Sequence, residues 1–184
     1  MRSYYIIFLL LMMCQVSKAQ GIYKTVTDFS LGVKYITPTK NQLFKVFPHR
    51  YLNTKSIKVR VGDSTLTLMK SEIYGYQDTD GKVYRFQNNE RYLILNPTEK
   101  LLLYSKSVLG GPKKNIPTTI YFFSSDPTSN IVNLTLFNLK NNFRNNPQLI
   151  QLIDLYFKDE SDVLNFDSFN NMYKINHLIA LSKH

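Results

Sequence analysis

The chain has 184 residues, 43% of them hydrophobic, and its 23 Lys and Arg against 13 Asp and Glu give a formal net charge of +10. One cysteine and three histidines are too few for a disulfide framework or the cysteine pairs of a structural zinc site. The length suits one domain with at most a small appendage, and a chain of this size buries roughly two thirds of its unfolded surface without needing staples.

The first residues read as a secretory signal peptide. Arg2 supplies a positive start, and Tyr5 to Met13 runs without a charge. Ser17-Lys18-Ala19 puts small residues where a signal peptidase cuts. The expectation is a signal over residues 1–19, with Gln20 as the new N-terminus. The apolar run falls short of the roughly 20 residues a bilayer span needs, so the mature chain is expected to carry no transmembrane span. A retained anchor and a lipoprotein processed at Cys14 are the competing readings, the second opposed by the bulk of Met13. Export puts the mature protein in the periplasm or at the cell surface. Losing Arg2 and Lys18 lowers the net charge from +10 to +8. The remaining basic residues are spread along the chain, which favours a solvated lysine-rich surface over a nucleic-acid site.

Residues 20–55 show no steady period and read as an irregular segment packed on the domain, wrapping it or adding one edge strand. Thr27 or Asp28 is the expected cap of a short helical turn ended by Gly32. A strand rhythm begins at Ser56. Ile57, Val59 and Val61 alternate with Lys58 and Arg60, and after Gly62-Asp63 the return run carries Leu66 and Leu68. A second hairpin runs from Ile73 to Gln77 and back from Val83 to Phe86 around Asp80-Gly81. With a turn centred on Thr79-Asp80, Tyr74 and Tyr76 are expected to share a face with Tyr84 and Phe86. Gly75 between two tyrosines marks a bulge or a close backbone approach. Asn88-Asn89-Glu90 reads as a turn. Tyr92 to Leu95, Leu101 to Tyr104 and Thr118 to Phe123 read as further strands, with a loop opened by Gly110-Gly111-Pro112.

Helical spacing replaces the strand rhythm near Thr135. Thr135 caps one helix, Asn146-Pro147 starts a second, and Asp167 or Ser168 is the expected cap of a third through Phe169, Met172 and Tyr173. Strands over 56–123 followed by helices over 135–181 define a single α+β domain spanning 56–184. The expected architecture is a mainly antiparallel curved sheet or small partly open barrel, followed by two or three C-terminal helices.

Chemical signatures are sparse. No His-Glu-x-x-His pattern, Gly-x-Ser-x-Gly elbow or phosphate loop is present. The Asp78–Gly81 stretch lacks the glutamate an EF-hand loop needs at its twelfth position. No catalytic residue, metal ligand or cofactor is therefore assigned. The distinctive feature is aromatic. Tyr74, Tyr76, Tyr84, Tyr92 and Tyr104, with Arg85, form the candidate ligand-binding set, for a glycan, a peptide or an envelope protein. Core packing is the competing role for the same rings. The leading function is an exported non-enzymatic domain that binds a partner or plays a structural part. The alternative is an envelope enzyme acting on a glycan or peptide through carboxylates or His49.

The runs Lys70-Ser71-Glu72-Ile73-Tyr74-Gly75-Tyr76, Gly81-Lys82-Val83-Tyr84-Arg85-Phe86, Tyr92-Leu93-Ile94-Leu95-Asn96-Pro97 and Thr119-Ile120-Tyr121-Phe122-Phe123-Ser124 resemble uncharacterised exported proteins of the Bacteroidetes group. The resemblance covers most of the chain from Ser56 onward. It implies a bacterial, exported setting and transfers no catalytic residue.

Overall fold

The computed structural model describes residues 20–39, 42–48, 54–109 and 117–183. The signal segment, His49, the 110–114 loop and His184 lie outside the described residues.

The chain enters through strand β1 (Gly21–Tyr23) and helix α1 (Val26–Leu31). The sequence points to Thr27 or Asp28 as the cap, but Thr25 takes the position. Its hydroxyl accepts the Asp28 amide at 3.1 Å while the Asp28 carboxylate accepts the Thr25 amide at 2.9 Å. Such a reciprocal box satisfies two otherwise orphaned donors. Gly32, at φ 70°, ends the helix in the left-handed region.

Strands β2 (Phe44–Phe47), β3 (Ser56–Val61) and β4 (Ser64–Met69) form a three-stranded antiparallel sheet in that order. The period-2 pattern is realised: Ile57 and Val59 are buried, while Lys58 and Arg60 are exposed. Strands β5 (Gly75–Gln77), β6 (Val83–Gln87), β7 (Glu90–Ile94), β8 (Leu102–Leu109), β9 (Pro117–Ser124) and β10 (Val132–Asn133) follow. With β1 they build a seven-stranded sheet in the order β1-β5-β6-β7-β8-β9-β10, and every pairing is antiparallel. Among the described residues β1 and β10 are its edges, so the sheet does not close into a barrel.

Helices α2 (Leu136–Asn142) and α3 (Pro147–Tyr156) start at the expected caps, Thr135 and Asn146. A 3₁₀ turn (Glu160–Leu164), strands β11 (Phe166–Asp167) and β12 (Met172–Tyr173) and helix α4 (Lys174–Leu181) complete the fold. Its class is α+β, with antiparallel sheets and C-terminal helices. The last helix starts later than the sequence pattern suggests. Asp167 does not cap it. Its carboxylate accepts the amides of Phe169 and Asn170, folding a tight turn, and Asn171 at φ 53° sends the chain back as β12.

Register explains why one sheet serves three apolar clusters. Leu103 faces Phe123, and both pack with Leu139, Leu149, Ile153 and Ile175 of the helices. On the same face, at the β1-β5-β6 end, Ile22, Tyr76 and Phe86 pack instead against Phe44, Ile57 and Val59 of the three-stranded sheet. The opposite face holds Tyr23, Val83, Tyr92, Ile94, Leu102 and Tyr104, with Phe29 of α1 laid over them. Burying one such side chain stabilises the fold by roughly 1.5–3 kcal/mol. Among the described residues no helix is long and apolar enough to cross a membrane.

Candidate functional site

The hairpin register decides which candidate residues meet. Tyr76 lies opposite Tyr84, and Gly75 opposite Arg85, so the turn centres on Asp80. The Asp78 carboxylate sets that centre by accepting the amides of Asp80 and Lys82. Tyr76 stacks on Tyr84 with ring centroids 4.8 Å apart and leans on Phe86 at 5.8 Å. Tyr74 does not join them. Its carbonyl accepts the Phe86 amide at 2.9 Å, and its ring stacks on Phe29 at 4.9 Å. A Cβ on Gly75 would collide with the Tyr84 carbonyl oxygen, which accounts for the glycine between the tyrosines.

The six candidate residues therefore divide between the two faces of the sheet. Tyr76 and Tyr84 belong to one. Tyr74, Arg85, Tyr92 and Tyr104 belong to the other, where Tyr104 is wholly buried. On that second face they form a polar network within the core. The Arg85 guanidinium donates to the Tyr104 hydroxyl at 2.9 Å and to the Ser129 carbonyl at 2.9 Å, and lies 5.1 Å from the Tyr74 ring centroid. Tyr104 and Ser124 share a hydroxyl–hydroxyl bond of 2.8 Å. The Tyr74 hydroxyl is enclosed near Tyr104 without reaching good hydrogen-bond geometry.

Burial raises the phenol pKa values. Tyr76 is pushed up to about 12 by desolvation, against the opposing pull of Arg91. Tyr74 rises through desolvation and then the neighbouring Tyr104. Tyr92 rises through desolvation and its 2.8 Å bond to Glu90. These phenols stay protonated through the neutral range and do not act as bases there.

Two of the six, Tyr74 and Arg85, also line an open cavity of about 560 Å³. Its walls come from the start of α1, the β4–β5 connection and the β6–β7 turn. Lys24, Lys70 and Arg85 contribute positive charge against one carboxylate, Glu72. Asn88 and Asn89, at φ 52° and 62°, shape the rim, since asparagine tolerates the left-handed region that a two-residue hairpin turn demands. Lys70 is 4% exposed and its ammonium donates to the Asn89 carbonyl at 2.7 Å. Its pKa is lowered by desolvation and then by repulsion from Arg91.

Sequence patterning passed over Lys24, Lys70, Asn88 and Asn89 as groove residues. A signal existed for Lys70: it continues the inward parity of Leu66 and Leu68, so a cation there points beneath the surface.

The acids with catalytic potential are dispersed. Glu90 pairs with Lys106 at 2.6 Å, Glu99 accepts from Asn96 and from the Tyr173 amide, and Glu72 lines the groove alone. His177 contacts Asp167 at 2.9 Å and Asn170 at 2.7 Å, tying the β11–β12 turn to α4 away from the groove lining. Among the described residues no three His, Cys, Asp or Glu side chains gather as a metal site would require. Comparison with protein-family models, curated proteins and solved structures found no match to this chain.

Proposed function

We propose that the protein is an exported, non-enzymatic binding domain of the bacterial envelope, acting in the periplasm or at the cell surface. Its ligand is a small anionic, hydroxyl-bearing group, such as an acidic sugar of a glycan, held in the groove beside α1. One observation carries this reading: three cations and an asparagine turn line one open cavity to which, among the described residues, Glu72 alone brings a carboxylate. Among the described residues the Arg85 guanidinium is held by neutral hydrogen-bond partners, with the nearby Asp126 carboxylate turned to Ser129 and Thr128 instead of forming an ion pair with it. In this reading the seven-stranded sheet is bent, with the three-stranded sheet and the helices covering separate ends of one face and α1 covering the other. The tyrosines are then the groove's support, with Tyr74 alone among them contributing to its wall.

The test is a nuclear magnetic resonance titration of the chain from Gln20 with galacturonic acid oligomers, neutral glucose oligomers and an Asp/Glu-rich peptide. The acidic sugar is expected to shift the amides of Asn88, Asn89 and Lys24, and Lys24→Glu to abolish those shifts. Shifts confined to other surfaces, or none with any of the three, would remove the groove as the site.

A further inference from the structure

The outer face of the three-stranded sheet is independent of the groove. Strand parity turns Lys45, Lys58 and Arg60 outward, and all three are exposed. Lys45 sits directly opposite Arg60, and Lys58 opposite Phe47. Cross-strand like charges of this kind oppose folding. Among the described residues the ion pairs are Lys106–Glu90, Lys140–Asp154 and His177–Asp167, and none involves this face. Neither do β2, β3 and β4 contribute any carboxylate to it; Asp63 lies in the connecting turn. The cations are interspersed with apolar groups. Phe47 and Met69 point the same way and are 38% and 37% exposed, and the Lys45 ammonium lies 5.2 Å from the Phe47 ring centroid. The remaining exposed positions include Thr65 and Thr67.

We infer that this face docks on an anionic lipid surface. Three cations roughly 5–8 Å apart on a pleated plane complement lipid phosphates, and two partly exposed apolar side chains beside them can enter the headgroup layer. Strands β2, β3 and β4 themselves carry no Asn, Gln, Asp or Glu with which to grip sugar hydroxyls, which favours a lipid surface over a glycan chain. Each basic group near such a surface strengthens attachment by about fivefold.

The experiment is vesicle co-sedimentation with the chain from Gln20, which contains every described element. Vesicles of equimolar phosphatidylglycerol and phosphatidylcholine are compared with phosphatidylcholine alone. Binding is expected only to the anionic vesicles, and is lost near 1 M salt, where the screening length falls to about 3 Å. The triple variant Lys45→Gln, Lys58→Gln, Arg60→Gln is expected to weaken it about 100-fold. A charge-matched control, Lys82→Gln, Lys100→Gln, Lys183→Gln, changes exposed lysines elsewhere and is expected to change affinity less than tenfold. Circular dichroism serves to check that both variants keep the fold. Phe47→Ala is expected to weaken vesicle binding while leaving any binding to heparin unchanged. No binding to anionic vesicles, equal loss in both triple variants, or face-dependent binding to heparin without vesicle binding would each overturn the assignment.

Discussion

Gly75→Ala tests the close backbone approach of β5 to β6. The new methyl group would meet the Tyr84 carbonyl carbon and oxygen and the Arg85 Cα, all backbone atoms of β6. No rotamer change relieves a clash with backbone, so β5 and β6 must separate. Overpacking costs about 3 kcal/mol at the upper end of its usual range. Loosening the 2.9 Å bond from the Phe86 amide to the Tyr74 carbonyl adds about 1 kcal/mol, for roughly 4 in total. Gly32→Ala is the natural comparison. That glycine sits at φ 70° with nothing within 4 Å of a built Cβ, so only the left-handed penalty of about 1 kcal/mol applies. Both substitutions reduce unfolded-chain entropy equally, and this contribution cancels in the comparison. Urea unfolding followed by far-ultraviolet circular dichroism, with a slope near 2 kcal/mol/M, should lower the midpoint by about 2 M for Gly75→Ala and about 0.5 M for Gly32→Ala. Equal shifts would refute the close approach of β5 to β6.

Ultraviolet titration should find a class of tyrosines that ionises well above the usual pH 10. Tyr76, with its folded pKa raised to about 12, contributes stability that is complete below pH 10 and lost as pH rises towards 12; a single transition near pH 10 for all tyrosines would contradict its burial. At acid pH the informative residue is Asp126. Burial would raise its pKa, but hydrogen bonds from Ser129 and Thr128 outweigh this and hold it below the usual range. A depressed folded pKa contributes stability above the unfolded value near 4 and loses it as pH falls further. Asp126→Asn should therefore flatten the acid limb of the urea midpoint between about pH 4 and pH 2, and an unchanged limb would show that the loop bonds are not formed.

Where one face of a strand met the core and the other met solvent, alternation was enough to read the fold. Ile57 and Val59 against Lys58 and Arg60 gave β3, and the capping residues Thr135 and Asn146 gave the first two C-terminal helices. The sheet centre was harder because both faces are covered. Leu101 to Tyr104 is apolar without alternation, yet Leu103 and Tyr104 serve opposite clusters. Register and parity split the candidate site. A turn centred on Asp80 keeps Tyr76, Tyr84 and Phe86 on one face as expected, but the backbone irregularity at Gly75 sends Tyr74 to the far face, where alternation also places Arg85, Tyr92 and Tyr104. The groove was invisible for a different reason. Lys24, Lys70 and Asn88 are distant in sequence and meet only through the β1–β5 and β5–β6 pairings.

Sharing one central sheet has a mechanical consequence. Neighbouring side chains on β8, Leu103 and Tyr104, anchor separate interiors, and on β6 Val83 and Tyr84 do the same for the interior under the small sheet, so melting any one withdraws the wall on which another rests. Despite the three apolar centres among the described residues, the fold should come apart in a single all-or-none step, without a half-melted species in which only the helices or only the small sheet has let go.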